Sequence, residues 1–424
     1  FRSMKNYPGF ILTLILIVSI NLEDASAIPT LSRKYKTSCI TCHAGYPRLN
    51  AFGEAFRYNG YKFPEDDEDQ VKDEPVKLGS EAYKRVWPGA VWPSSIPGSN
   101  PISIRGRFSF VVGNEGDSLK YSEFGQPAIQ FIAAANMTEN IVIFAGVHLF
   151  ENGEPGSIDR LFVRFGSLFN KILPANALSL RVGQFIPDLV PFASNHRSIT
   201  QSAYALNTYA SELGSSFVAG HAHGGGPFGI ENFQLGVELN GIIKSRFRYV
   251  AGVVNGNGTE LDNNSLRDYY GRLSYKIGGL GFDGSVKEGM NTDYETSLTI
   301  GIFGYNGVTT VNSSDIAFGR YGLDANLRWN KLNIVGGFIA GSDGLNTGNK
   351  YNLFFAETYY DFYPWLIGLI RYEQANPESG NSVRQIVPHI SALAIANIRF
   401  KLESRLDPND LKFNNLYLGL DFAF

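Results

Sequence analysis

Apolar and polar side chains alternate with a period of two from residue 102 to the end of the chain, and this alternation constrains the fold most. The first such stretch sets Ile102, Ile104, Gly106, Phe108 and Phe110 against Ser103, Arg105, Arg107 and Ser109. The same pattern recurs in Leu235-Val237-Leu239, Tyr269-Gly271-Leu273-Tyr275 and Leu298-Ile300-Ile302. Successive side chains of a strand point to opposite faces, so each stretch predicts a strand with one apolar and one polar face.

About sixteen such stretches favour an antiparallel barrel that separates lipid from a polar lumen. The composition agrees, with 46 Gly, 22 Tyr and 31 Phe but only 3 Met, and no later stretch has the roughly 18 apolar residues of a membrane helix. The last strand, LYLGLDFAF, ends in Phe424 and resembles the C-terminal signal of bacterial outer-membrane barrels. The alternative, an edge strand of a soluble sandwich, would expose a flat apolar edge to aggregation. We therefore expect an outer-membrane β-barrel over residues 101–424.

The spacing of the strands predicts their number. Short links near 137–139, 240–244, 329–332, 362–364 and 394–397 alternate with long ones near 113–125, 187–228, 255–266, 305–316, 341–350, 373–384 and 406–413. Short periplasmic turns and long outer loops are typical of these barrels and give sixteen strands. The ambiguous stretch 278–294 makes eighteen the alternative. The longest link, 187–228, follows the fifth strand, where we expect a loop folded into the lumen.

The first 100 residues divide into a targeting segment and a small domain. Lys5, the apolar run Phe10–Ile20 and Ala25-Ser26-Ala27 have the order of a signal peptide, so we expect residues 1–27 to be removed and 1–3 to precede the start at Met4. A buried helix is the weaker alternative. Residues 28–100 are irregular and end in a proline-rich linker, too poor in aliphatic residues for a large core. We expect this domain in the barrel lumen or at its periplasmic mouth.

The motif CITCH contains the only two cysteines of the chain, Cys39 and Cys42, followed directly by His43. This spacing predicts one c-type haem, with thioethers to both thiols and His43 as the proximal iron ligand. A structural disulfide, a redox CxxC pair and half of a zinc site are the alternatives. Zinc would need further ligands, but residues 28–100 contain no other Cys or His. A thioredoxin-like pair would need a βαβ context, which the pattern lacks.

The residues after the motif predict a short helix that begins at Pro47, carries Leu49, Phe52 and Phe56 on one face and ends at Asn59-Gly60. The stretch Cys39–Phe63 resembles the haem segment of the fused outer-membrane cytochrome–porins, a family that includes iron oxidases of iron-oxidising bacteria. The resemblance implies a monohaem domain that passes electrons across the outer membrane, with extracellular Fe(II) as the donor in some members. It also implies that Pro47, Leu49, Phe52 and Phe56 pack against the haem.

The sixth iron ligand is left open by the sequence. Residues 28–100 offer neither Met nor a second His, so the candidates lie in the barrel: His148, His196, His221, His223, His389, Met137 and Met290. Of these we single out His221 and His223, on the long glycine-rich link, and Met290. For each histidine of that link, a polar side chain on a flexible loop is the simpler interpretation. An open or water-bound site is an equal alternative.

The charged residues of the chain limit its possible binding partners. A net charge of -3, from 37 basic and 40 acidic residues, gives no basis for nucleic-acid binding. The acidic run PEDDED at 64–69 could attract Fe(II) or a basic periplasmic cytochrome, although a solvated loop is the simpler interpretation. Asp262 and Asp315 are weaker candidates for iron.

These observations favour an electron conduit in the bacterial outer membrane. We expect electrons to pass from an extracellular donor, Fe(II) among them, to a periplasmic c-type cytochrome or other carrier, which makes the protein an iron:cytochrome c oxidoreductase or else an electron carrier. One alternative is a small-molecule or ion porin with an appended periplasmic haem domain. Another is a haem sensor or peroxidase with a five-coordinate iron.

Overall fold

A computed structural model describes residues 30–64, 67–72, 76–77, 95–96, 102–115, 118–151, 153–190, 198–202, 232–259, 261–262, 264–286, 295–311, 313–344, 350–378, 382–395 and 397–423. Sixteen long strands form one closed barrel. They are β1 Ile102–Glu115, β2 Ser118–Thr138, β3 Ile141–Glu151, β4 Ile158–Phe165, β5 Ser179–Phe185, β6 Gln234–Ile243, β7 Phe247–Val254, β8 Asp268–Gly278, β9 Ser297–Val311, β10 Ser314–Trp329, β11 Leu332–Asp343, β12 Lys350–Tyr363, β13 Leu366–Pro377, β14 Val383–Ile395, β15 Ile398–Leu406 and β16 Phe413–Ala423.

Every long strand pairs antiparallel with the next one along the chain, and β16 closes the barrel against β1 with Asp421 opposite Arg107. A two-residue strand, Glu154–Pro155, extends the edge of β3. The expected count of sixteen is confirmed. Residues 279–286 of the ambiguous stretch form turns without a strand, and 287–294 lie outside the described residues.

The period of two sorts side chains between lipid and lumen, as the alternation predicts. On β8, Tyr269, Leu273 and Tyr275 are exposed on the outer face, whereas Arg272 between them is buried in the lumen. Arg272 pairs there with Asp324 of β10. The lumen wall is thus a lattice of buried ion pairs, and the exposed apolar face is the one expected to meet lipid.

Some expected connection lengths are wrong. We call the end of the barrel that holds the start of β1 the turn end and the opposite end the loop end. At the loop end, the links predicted near 113–125 and 305–316 are only 116–117 and 312–313, because the flanking strands continue past the apolar band. The polar composition of these strand ends resembles that of a loop. Two turn-end links, 166–178 and 279–296, are long instead of short.

The N-terminal segment folds inside the barrel at the turn end. It contains the short helices α1 Thr30–Tyr35, α2 Ala51–Tyr58 and α3 Asp67–Gln70, a 3-10 turn over Cys39–Thr41, and a two-stranded pairing of His43–Gly45 with Arg48–Leu49. A second pairing joins Val76–Lys77 to Ser95–Ile96. None of the helices in the described ranges is long and apolar enough to cross a membrane.

Contacts with strands on different sides of the barrel hold this segment in the lumen. The Thr30 amide donates to Ser103 Oγ on β1 at 2.7 Å. On the opposite wall, Arg48 donates to Asn333 of β11 at 2.8 Å and pairs with Glu357 of β12. The small irregular domain therefore packs against the inner wall of the barrel instead of building a separate core.

Two described parts of the link between β5 and β6, residues 186–190 and 198–202, contact different walls of the lumen. The first turn of this link, through Asp188 and Leu189, is buried beside β7 and β8. Ile199 packs on Ile367 and Leu369 of β13, across the barrel. The inward-folded loop expected after the fifth strand is present in the residues that the structure describes, and 191–197 and 203–231 lie outside them.

Candidate functional site

The CxxCH turn and α2 are fastened to each other. The amide of Asn50 donates to the Cys42 carbonyl at 3.0 Å. The Asn50 side chain caps α2 by accepting from the Gly53 amide at 2.8 Å, and its Nδ2 donates to the carbonyls of Ile40 and Thr41. A Cβ on Gly53 would come within 2.0 Å of the Cys42 carbonyl oxygen, so only glycine permits this contact. The helix begins at Ala51 and not at the expected Pro47.

The two thiols and the imidazole of the motif line one cavity. This cavity has a volume of about 1870 Å³, including its opening to solvent, and lies between the N-terminal segment, strands β1–β5 and the start of the long loop. Cys39, Cys42 and His43 line it together with Pro47, Leu49 and Phe56, which sequence reasoning placed against a haem. Phe52 lines a second cavity instead. The two thiols and the imidazole of the motif therefore face one shared cavity.

Aromatic rings form much of the cavity surface. Tyr35 packs edge-on against Phe56 and Phe63, with ring centroids 5.7 and 4.3 Å apart. Tyr61 stacks on Phe144 of β3 at 5.5 Å, which joins the N-terminal segment to the barrel wall. All five rings line the cavity. A flat aromatic ligand would find matching ring faces here.

Burial keeps the ligand-donor groups of the motif neutral. It raises the pKa of the Cys42 thiol to about 12, with a smaller contribution from the neighbouring Cys39. Burial also raises the pKa of Cys39 and lowers the pKa of His43 to about 4. A neutral imidazole retains a nitrogen lone pair for a metal. Raised thiol pKa values are the opposite of what a redox-active CxxC pair needs.

The described residues show neither a bond between the two cysteines nor a set of zinc ligands around them. Cys39 and Cys42 carry free thiols and are not joined to each other. No group of three or more His, Cys, Asp or Glu side chains in the described ranges is arranged to hold a metal ion. Two thiols, one imidazole and an apolar cavity fit a covalently attached haem, for which Cys39, Cys42 and His43 would be the attachment and ligand residues.

A second cavity adjoins the first at the turn end. It has a volume of about 2000 Å³ with its solvent-open part, and His43 and Leu49 line both cavities. Its outer residues include Lys331 and Pro364 from two short turns and Val286 from the link between β8 and β9. His43 thus lies between the deep cavity and the turn-end mouth of the barrel.

The expected sixth ligands that the structure describes are not at the deep cavity. His148 of β3 contacts Gln130, Glu151 and Asp159, and His389 of β14 contacts Glu403 at 2.8 Å. Neither they nor Met137 of β2 are among its lining residues. His196, His221, His223 and Met290 lie outside the described residues, and so does part of the acidic run, 65–66. Asp262 and Asp315 lie at the loop end, where Arg267 pairs with Asp262.

Sequence reasoning missed the guanidinium groups around the cavity. Arg57 of α2, Arg105 of β1, Arg160 of β4 and Arg181 of β5 all line it. The alternation placed Arg105 on the lumen face, but no sequence signal showed that it would meet the CxxCH segment more than 60 residues earlier.

Comparisons with known proteins bear on the barrel. No protein-family model and no curated protein matches the chain. Among solved structures, an anion-selective porin from Comamonas acidovorans is similar at 11% identity and a TM-score of 0.52, over 76% of this chain and 98% of the porin. The outer membrane channel DcaP of Acinetobacter baumannii gives 10% identity and a TM-score of 0.49, over 82% of this chain and 100% of that one. The chain accordingly has the fold of an outer-membrane porin, a closed antiparallel barrel of sixteen strands.

Proposed function

We propose that this outer-membrane barrel holds one c-type haem in its lumen and transfers electrons across the membrane. The observation that carries the proposal is the convergence of Cys39, Cys42 and His43 on one aromatic cavity inside the barrel. When bound, the haem supplies one-electron redox chemistry, and the protein supplies attachment, ligation and the surrounding dielectric. The resemblance of Cys39–Phe63 to the cytochrome–porin segment supports the same conclusion.

Different residues of the chain would attach the haem, ligate its iron and anchor the haem segment to the barrel. Cys39 and Cys42 are the attachment points and His43 is the proximal ligand. The helix cap at Asn50 fixes the CxxCH turn, and Phe56 excludes water from the cavity surface. Arg48, paired with Glu357, anchors the segment to the barrel wall. The barrel insulates the site from lipid, so a single redox centre serves as the conduit.

The position of His43 between two cavities supports an electron exit at the turn end. The second cavity reaches the turns at Lys331 and Pro364, where a periplasmic c-type cytochrome or other carrier would approach. We propose extracellular Fe(II) as the donor on the opposite side, which would make the protein an iron:cytochrome c oxidoreductase.

A porin that conducts small molecules or ions is the second candidate function. The fold likeness to porins favours it directly, whereas the comparisons offer nothing for the haem segment. The two candidates differ in planar bilayers, because a lumen filled by the N-terminal segment conducts little. Large, stable single-channel conductance of the purified protein would favour the porin.

Covalent haem is the decisive measurement. The full chain should be expressed in a bacterium that matures c-type cytochromes, extracted from the outer membrane and quantified by the pyridine haemochrome spectrum. We expect one haem per chain that survives denaturing electrophoresis, and none in Cys39→Ala or Cys42→Ala. Absence of covalent haem from the wild-type protein would overturn the proposal.

The donor is tested on the same preparation. Anaerobic addition of Fe(II) should reduce the ferric haem, as seen in its visible spectrum. Failure across a range of pH would remove Fe(II) as donor but leave the conduit. Rapid binding of CO by the reduced protein would instead indicate the five-coordinate iron of a sensor or peroxidase.

A further inference from the structure

Three of the four guanidinium groups that line the deep cavity have carboxylate partners. The pairs are Arg57 with Asp188 at 3.2 Å, Arg160 with Asp159 at 3.1 Å and Arg181 with Glu238 at 2.6 Å. The fourth group, on Arg105, makes no ion pair or hydrogen bond with any residue that the structure describes. It is therefore the exception among cations in this cavity.

The surroundings of Arg105 place it next to the CxxCH motif. Its guanidinium carbon lies 5.2 Å from the centre of the Tyr46 ring, and that ring is 5.0 Å from the His43 ring. In the sheet, Arg105 stands opposite Gln130 of β2 and Ala423 of β16, which also line the cavity. Its side chain is thus on the lumen face, one aromatic ring away from the proximal imidazole.

A guanidinium group in the deep cavity that lacks a paired carboxylate is a candidate binding group for an anionic ligand. The Arg105 Nε is buried without a hydrogen-bond partner among the described residues, and leaving a buried polar or charged group unpaired is unfavourable. Arg107, the next lumen-facing residue of the same strand, is satisfied by Glu151 at 2.6 Å. The neighbouring carboxylate of Asp421 on β16 is already paired with Arg399. The described wall of the barrel thus gives Arg107 a direct ion pair, whereas Arg105 has only the longer-range charge of Asp421 and no direct ion pair or hydrogen bond.

We propose that Arg105 binds a carboxylate of the ligand itself, namely a propionate of the c-type haem. This inference rests on the proposed function, since it takes the haem to be held by Cys39, Cys42 and His43. Arginine forms two parallel hydrogen bonds to a carboxylate, a geometry that lysine cannot reproduce. Arg105 is a positioning residue that fixes the haem against β1 and places a positive charge beside it.

The test measures the midpoint potential of the haem in the full-length protein. A nearby cation favours the state with the extra electron, so Arg105→Gln should retain covalent haem and lower the midpoint potential. We expect the reduction equilibrium to shift about tenfold, which is about 59 mV for one electron. The matched control is Arg107→Gln, which removes the same charge from the same face of β1 but from a group already paired with Glu151.

Resonance Raman spectra provide a second measurement. The propionate bending band should move in both Arg105→Gln and Arg105→Lys, because lysine retains the charge but not the two parallel bonds. If Arg105→Gln prevents haem loading, the lysine variant alone decides by this band. An unchanged band, or an equal shift of potential in Arg107→Gln, would overturn the role of Arg105. Wild-type protein without covalent haem would instead overturn the proposed function.

Discussion

At the scale of single residues, the site depends on a small number of close contacts. Gly53 lets the helix approach the Cys42 carbonyl, and Asn50 joins the helix cap to the CxxCH turn. Both positions lie in the stretch Cys39–Phe63 that carries the sequence resemblance, but only the structure gives their physical reason. The turn is held by the backbone and by one amide side chain, so the thiols have fixed positions before any ligand binds.

The raised thiol pKa values predict slow alkylation of haem-free protein. Burial raises the pKa of Cys42 to about 12, so its thiolate fraction near pH 8 is on the order of a thousandfold below that of a denatured chain. Iodoacetamide labelling of native protein from a host without haem maturation should be slow and should accelerate as pH rises. Denatured protein from a maturing host should show no labelling, since thioethers do not react. Two reactive thiols there would contradict haem attachment.

Two variants of Asn50 separate its roles. Asn50→Ala loses the cap of α2, which costs about 1 kcal/mol and should make the amides of α2 exchange about fivefold faster. Asn50→Asp keeps the accepting oxygen for Gly53 but loses the donors to Ile40 and Thr41. Hydrogen exchange should then rise only around the CxxCH turn. Equal patterns in the two variants would show that the cap and the turn are not independent.

At the scale of elements, the positions of the strands could be predicted from the sequence, but the lengths and contacts of the connections could be predicted only in part. Alternation revealed strand faces because lipid and lumen impose a strict period of two. It failed beyond the apolar band, where β1, β2, β9 and β10 continue with polar residues on both faces. The presence of an inward-folded loop after β5 could be predicted from the length of the link, but the site on the barrel wall that it contacts could not. That site depends on Arg371 and Glu403, which lie 171 and 202 residues further along the chain than their partners Thr200 and Gln201.

Glu403 of β15 is expected to hold the long loop across the lumen. Its two oxygens accept from the amides of Gln201 at 2.7 Å and Ser202 at 2.6 Å. Hydrogen bonds to a charged group contribute about 1.5–3 kcal/mol each. Glu403→Ala should therefore increase proteolysis within residues 186–233 at least tenfold while the strands stay intact. The control is Glu378→Ala at the loop end, and equal cleavage in both variants would contradict the anchor.

At the scale of the whole molecule, the N-terminal segment and the long loop meet inside the barrel. Asp188, at the start of the loop, pairs with both Arg57 of α2 and Arg248 of β7. Sequence alone could not reveal such pairs, because charge complementarity between residues 60 or more positions apart has no local pattern. The cavity exists only once all three parts are assembled.

Loosening the N-terminal segment should open the lumen to ions. Arg48 pairs with Glu357 and donates to Asn333, so Arg48→Ala removes its attachment to β11 and β12. We expect low conductance of the wild-type protein in planar bilayers and frequent openings in the variant. Arg267→Ala, which breaks an exposed loop-end pair, is the control. High conductance of the wild-type protein would show that the segment does not obstruct the lumen.

The enclosed position of the CxxCH turn also dictates an order of biogenesis. Cys39 is buried beneath a segment that contacts strands from β1 to β13. The N-terminal segment and the surrounding strands together cover that thiol, so a maturation enzyme would reach it more readily before the barrel assembles. On the proposed function, we expect the haem to be attached to Cys39 and Cys42 before the barrel closes around them. On the same proposal, the finished barrel would then enclose a covalently attached haem that could not be exchanged.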